Sequence, residues 1–400
     1  MGCRRHVPVW YDATRHWVKG GRLAVLAVVQ EQHADRARLF AQWKRIDWPI
    51  LHDPINVLEP LAVPIFVAID EAGIVRAVKP DLNTFEADFL NKDFGAATTP
   101  IAPKLPDPSG LRREAESANT ADAWRDLGDA LALWGGPRLL DRAMDAYART
   151  LKLRPRDGNA LFRLGVCHRL RYDSAKRQPG DFQAAIDLWG RALAENPNQY
   201  IWRRRIQQYG PRLDKPYAFY DWVATAAKEI AERGEKPVPL VEQPYGAEIA
   251  NPLKEFAPAA GTAVSPDPEG KVARDEKGLV AVEVAVVPKA IAPGQSARVH
   301  LSFRVNGERE VHWSNEAGPL RVWVDAPEGW QVSERLLSAP LGEKPETTEP
   351  RRLDLEVKAP ANAAGRVRLG AYALYYVCED AEGQCAFLRH DIPIDIEVRK

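Results

Sequence analysis

Residues 62–79 read AVPIFVAIDEAGIVRAVK, two apolar runs either side of Asp70-Glu71-Ala72-Gly73. Gly73 can take the positive φ that a tight turn needs, so the stretch predicts a β-hairpin. Upstream, RLAVLAVVQ (22–30) is a continuous apolar run of the kind found in buried parallel strands. Between the two lie an amphipathic helix in HADRARLFAQWKRI (33–46), a short strand in WPILHD (48–53) and a helical turn in INVLEPL (55–61). A helix over VPVWYDATRHWV (7–18) precedes them and one over TFEADFLNKDF (84–94) follows, which gives α-β-α-β-α-β-β-α across 1–96.

The remaining residues fall into zones of different composition. AATTPIAPKLPDPSG opens a proline-rich connector assigned to 97–117. Residues 118–232 are helical and repeat internally: AMDAYARTLKLRP (143–155) and AIDLWGRALAENP (185–197) align without gaps, each after a partner helix. Residues 233–277 are rich in proline, glycine and charge, and read as an extended linker pinned by its few apolar residues. From 278 to 400 apolar and polar residues alternate at period two in several short runs, the pattern of an antiparallel β-sandwich. The expected class is therefore multidomain, α/β then all-α then all-β.

Charge excludes some functions. Lys plus Arg and Asp plus Glu both number 55 in 400 residues, so nothing global points to nucleic acid. No apolar run approaches the roughly 20 residues of a membrane span. Four cysteines make no disulfide framework for this length, and no histidine or cysteine spacing suits a metal, so neither metal nor cofactor is expected. Cys378 and Cys385 are the exception in spacing. They flank EDAEGQ, a polar hairpin turn containing Gly383, and facing positions on a hairpin can bring two β-carbons to disulfide distance.

CRRHVP (3–8), AVPIFVAID with Pro64, and DEAGIVR together resemble the TlpA/ResA-like redoxins of the thioredoxin fold. The resemblance implies that Cys3 is the second, resolving cysteine of a C-x-x-C motif, that Pro64 is the cis-proline of the substrate groove, and that the nucleophilic cysteine falls immediately before Met1. The strand leading to it would go with it, so the expectation is a thioredoxin-like sheet without its central strand, in a chain that starts inside a longer protein; a natural, degenerate redoxin is the other reading. Two readings of Cys3 stand: a nucleophile, or an inert thiol with no mixed disulfide to resolve. No signal peptide is legible, and full-length relatives would be expected in the periplasm or otherwise outside the cytoplasm.

The helical zone resembles tetratricopeptide repeats through Trp124, Leu127, Gly128, Ala143, Tyr147 and Pro155, and again through Leu164, Gly165, Ala185, Trp189, Ala192 and Pro197. That implies either a peptide- or partner-binding surface involving Trp124, Tyr147 and Trp189, or a spacer. Arg203, Arg204 and Arg205 read as a site for an acidic partner or as a solvated basic face; Cys167 reads as core. YYVCEDAEGQCAFLRHDIPIDIEV (375–398) is similar to the hairpin cysteine pair in the immunoglobulin-like amino-terminal domain of the reductase DsbD. The likeness implies a redox relay with protein thiols or disulfides; a purely structural bridge is the other reading. The function expected is thiol–disulfide exchange, and the alternative is a non-catalytic interaction protein.

Overall fold

A computed structural model describes residues 2–60, 62–95, 105–253, 255–261, 263–379 and 384–399. Helices and several separate sheets make a mixed α and β chain. Contacts divide it into two units, one of Met1–Arg177, Arg191–Arg205 and Asp221–Gln243, the other of Gln178–Gly190, Ile206–Tyr220 and Pro244–Lys400.

In chain order the first part runs α1 (Gly2–Lys19), β1 (Ala27–Val29), α2 (Ala34–Lys44), β2 (Ile50–His52), β3 (Val67–Ile69) and β4 (Val75–Val78). β1 pairs with β2 in parallel and β3 with β4 antiparallel, as two separate two-stranded sheets. The β3–β4 turn is built as its residues suggest: Gly73 has φ 79° and the Asp70 carboxylate accepts the N–H groups of Ala72 and Ile74. Trp17 of α1, Ala68 of β3 and Phe85 form a small core with Trp10, Leu23 and Phe89 beside it. The helix expected over 84–94 is a single π-helical turn, Glu86–Leu90.

The connector assigned to 97–117 needs correcting. Its later half is helix α3 (Pro108–Ala118); residues 96–104 lie outside the described residues. Proline opens this helix and the preceding Asp107 caps it, accepting from the N–H groups of Ser109 and Gly110. Helices α4 (Ala121–Trp134), α5 (Leu140–Leu153), α6 (Gly158–Tyr172), α7 (Asp181–Glu195), α8 (Tyr200–Gln207) and α9 (Val223–Glu232) follow. α4 approaches α5 closely at Gly128, where a β-carbon would lie 2.6 Å from the Tyr147 ring. The presumed linker is held along much of its length; in the first unit Val238 N–H donates to Gln42, and Lys236 and Glu242 accept from Gln42 and Arg36.

The carboxy-terminal strands are β5 (Val280–Val287), β6 (Ala290–Ile291), β7 (Ser296–Val305), β8 (Val311–Ser314), β9 (Arg321–Asp325), β10 (Gln331–Val332), β11 (Leu336–Ser338), β12 (Glu346–Thr347), β13 (Arg351–Lys358), β14 (Gly365–Glu379) and β15 (Gln384–Val398). They form a four-stranded sheet, β10-β13-β7-β5, and a seven-stranded one, β11-β9-β14-β15-β6, to which β8 adds on β14 and β12 on β8. One hydrophobic cluster draws on both: Val299, Leu301 and Phe303 of β7, Leu355 and Val357 of β13, and Tyr375 and Val377 of β14.

The other face of β7 breaks the usual rule for alternating strands. Arg298 and His300 stand opposite Glu356 and Asp354 of β13, yet Arg298, His300 and Glu356 are buried and the Asp354 side chain is only 8% exposed. Residues 206–220 and 244–248 of the same unit cover them. Tyr209 carbonyl accepts from His300 Nε2 at 2.7 Å, and Arg212 N–H donates to Glu356 at 2.9 Å. Ala247 N–H donates to Asp354 at 2.8 Å, and buried Lys215 donates to the Ala247 carbonyl. Burial, then Arg298 and Arg212, bring the Lys215 ammonium down to a pKa of about 8. Gly246 (φ 47°) lies so close to the Asp354 carboxylate that no β-carbon fits.

Candidate functional site: the cysteine pair at the end of the long hairpin

β14 and β15 pair without interruption from Gly365↔Val398 to Glu379↔Gln384. An unbroken register keeps alternate residues on one face, so Cys378 and Cys385 stand directly opposite each other, one pair from the end. They form a disulfide, S–S 2.01 Å, with Cα atoms 3.9 Å apart. The turn with Gly383 belongs to 380–383, outside the described residues. The two cysteines are unequally placed: Cys385 is exposed, whereas Cys378, flanked by strands on both sides, is only 8% exposed.

The next pair on that face is Tyr376 and Phe387, stacked with centroids 4.4 Å apart. Across the other edge of β14, His312 of β8 stands opposite Cys378. Its Nε2 lies 3.6 Å from a carboxylate oxygen of Glu346 on β12. The opposite face anchors the strands: Trp313 meets Tyr375 edge-on at 5.9 Å, and Tyr375 donates to Asp275 at 2.9 Å. Glu379 takes hydrogen bonds from Arg309 and Lys277, which hold its carboxyl below the usual range. Further down the outer face residues 265–275 cover Tyr372, whose hydroxyl meets Ser265 and Asp267, while Arg389 lies 3.7 Å over its ring. The cysteine end is thus a tip beyond a covered sheet.

The other sequence candidates are placed as follows. Cys3 lies in the first turn of α1, half-buried; burial pushes its thiol up, with Arg204 acting in the opposite direction. Val63–Pro64 is cis, and Pro64 lies against the amino end of α1, where a β-carbon on Gly2 would be 3.2 Å from its Cδ. Cys167 is fully buried and its thiol is pushed far up by that burial.

The partner-binding assignments require correction. Trp124, Tyr147 and Trp189 are 6%, 0% and 0% exposed. Trp124 donates to Asn119 beneath Arg149, Tyr147 donates to Asp129, and Trp189 stacks on Tyr209, so all three pack rather than present a surface. Arg204 pairs with Glu31 at 2.7 Å, and Arg205 is buried against Gln32 and the Gln30 carbonyl. Of the three arginines only Arg203 is exposed, and it donates to the Pro197 carbonyl.

Sequence reasoning missed His312 and Glu346, because nothing local says which strand borders β14. Among the described residues no group of His, Cys, Asp and Glu suits a metal, and no helix is long and apolar enough to cross a membrane.

No protein-family model matches the chain, and no curated protein matches it. Among solved structures it is similar to the sporulation control protein Spo0M of Bacillus subtilis, at 11% identity and TM-score 0.15, over 31% of this chain. The chain spans half (50%) of the length of that structure. It is similar also to the alkylpurine DNA glycosylase AlkC of Pseudomonas fluorescens bound to abasic-site DNA (10% identity, TM-score 0.18, 75% of this chain and 84% of that one). A third is a PapD-like domain of human CEP192, at 11% identity and TM-score 0.14, over 36% of this chain and 95% of that one. At this level of likeness none of them fixes the fold or the function.

Proposed function

We propose that the protein carries out thiol–disulfide exchange with a protein dithiol through Cys378 and Cys385. The observation that carries the reading is the asymmetry of the bridge, an exposed cysteine bonded to a buried one near the end of the hairpin. Exchange needs in-line access to one sulfur and a leaving thiolate on the other. A partner thiolate attacks the Cys385 sulfur, the Cys378–Cys385 bond breaks, and its electron pair leaves on Cys378, which takes up a proton. The partner's second thiolate then attacks its own sulfur in the mixed disulfide and releases Cys385. The partner loses two electrons and two protons, and the pair gains them.

The same reading takes the carboxy-terminal sheets as an immunoglobulin-like sandwich similar to that of DsbD, α4–α8 as repeat-like helical hairpins, and 1–96 as redoxin-like. Pro64 beside the start of α1, and strand pairs β1–β2 and β3–β4 in separate sheets, support the last of these. Trp124, Tyr147 and Trp189 serve as its packing, so partner recognition falls to the hairpin tip.

Equilibrating the full chain in a glutathione series and labelling the thiols tests the proposal. Opening of the bridge in the range of thioredoxin-like couples supports it. A bridge still closed below about −300 mV leaves only a structural role.

A further inference from the structure

Resting on that reading, we infer that His312 is the acid that meets the Cys378 sulfur as the bridge opens. Three observations place it there. In an antiparallel ladder, residues directly opposite share a face, with β-carbons about 4.5–5.5 Å apart, and His312 is opposite Cys378. Cys378 is the buried cysteine, so its sulfur is the one that leaves when a partner attacks exposed Cys385. A thiolate formed at 8% exposure lacks water to stabilise it, and burial alone opposes its departure.

His312 is itself only 8% exposed, and a Glu346 carboxylate oxygen stands 3.6 Å from its Nε2. Its neighbours include Glu346 on β12 and, across the ladder, Cys378 of the disulfide. Neighbouring Glu379 points to the other face, where Lys277 and Arg309 bind it. The imidazolium gives its proton to the Cys378 thiolate as the S–S bond breaks, and recovers one from solvent once the thiol has formed. The electron count stays that of the exchange above, two from the partner dithiol.

The test follows opening of the bridge in the full chain by dithiothreitol from pH 5 to 8.5, each rate divided by the concentration of dithiothreitol thiolate. In the native protein the normalised rate falls as pH rises and the proton to be donated is lost. In His312→Gln it is flat and at pH 6 roughly tenfold lower, below the usual 10²–10⁴ of a positioned acid because the glutamine amide can still donate a hydrogen bond to the leaving sulfur. Profiles of the native protein and of His312→Gln that coincide would overturn the role of His312 while leaving exchange intact. A bridge that dithiothreitol opens in none of the proteins would remove exchange itself.

Discussion

Gly128→Ala and Gly190→Ala make the same chemical change, an added methyl in a helix, and should have opposite effects. In a helix interior Ala is favoured over Gly by about 1 kcal/mol, and with nothing else in play both proteins would gain. At Gly190, exposed on α7, no atom lies within 4 Å of the new β-carbon, so most of that gain should appear. At Gly128 the β-carbon would meet Tyr147 ring atoms at 2.6, 2.8 and 3.0 Å. Restoring ordinary contact requires the ring to retreat by roughly 0.8 Å, in a close-packed setting that does not yield freely. Tyr147 is fully buried, and its hydroxyl donates to Asp129 at 2.8 Å. Asp129 is also held by Arg163 at 2.7 Å, and burial raises its pKa to about 6. Overpacking costs about 1–3 kcal/mol, and drawing the hydroxyl off a carboxylate costs about 1.5–3 more if the bond breaks. Set against a gain of about 1 kcal/mol, Gly128→Ala should lose about 1.5–5 kcal/mol with that bond broken, and up to about 2 kcal/mol with it kept. Urea denaturation followed by circular dichroism measures both variants, and hydrogen exchange of α4 and α5 amides gives the local value if the chain does not unfold in one step. A Gly128→Ala protein as stable as the native one would refute the close approach of α4 and α5.

Other outcomes follow from the same geometry. Burial, and for His33 also Arg36, Arg169 and Arg205, holds His33 and His300 below the ordinary histidine value. Their stabilising contribution is therefore complete above about pH 6.5 and is lost as pH falls through the lower folded-state values, so melting temperature should drop on acidification; in His300→Gln, which can still donate to Tyr209, the drop should be smaller. Tyr375→Phe removes the hydrogen bond to Asp275 and should cost about 1.5–3 kcal/mol in urea titration; a neutral result would show that the Leu279 and Val280 N–H groups satisfy that carboxylate alone. Replacing Cys378 and Cys385 by Ser opens a loop of sequence separation 7, for which chain entropy predicts a loss of about 2.5 kcal/mol. The measured loss should be smaller, because β14 and β15 stay paired along their length and hold the ends together.

Local chemistry made the strands legible. Alternation in 279–287, 297–305, 351–359 and 366–377 marks residues that do form strands, and Asp70 with Gly73 marks a real turn. The spacing of Cys378 and Cys385 around polar residues likewise foretold a bridge. Position in three dimensions was not legible. The basic run at 203–205 looks solvated because charge usually is, yet Glu31, Gln32 and the Gln30 carbonyl, distant in sequence, absorb Arg204 and Arg205. Arg298 and His300 look like the wet side of β7 for the same reason and are dry because residues 206–220 cover them. Helix α3 hid behind proline, which starts helices as readily as it breaks them when an aspartate precedes it. His312 carries no local sign at all, since its meaning comes from the strand beside it.

The covering of β7 and β13 also limits how the chain can be dissected. A fragment beginning near 278 would contain every strand of the two large sheets and still lack Tyr209, Arg212, Lys215 and Ala247, which close over Arg298, His300, Asp354 and Glu356. Water would replace them on that face, and the piece would be a sheet stripped of its own wall rather than an autonomous module. The covering residues are encoded among segments that belong to the other unit, because the chain alternates between the two from 178 to 243. No single cut in that interval yields two whole parts. Modular exchange, by which compact domains are commonly swapped between genes, is closed to this half of the chain unless it travels with the helices before it.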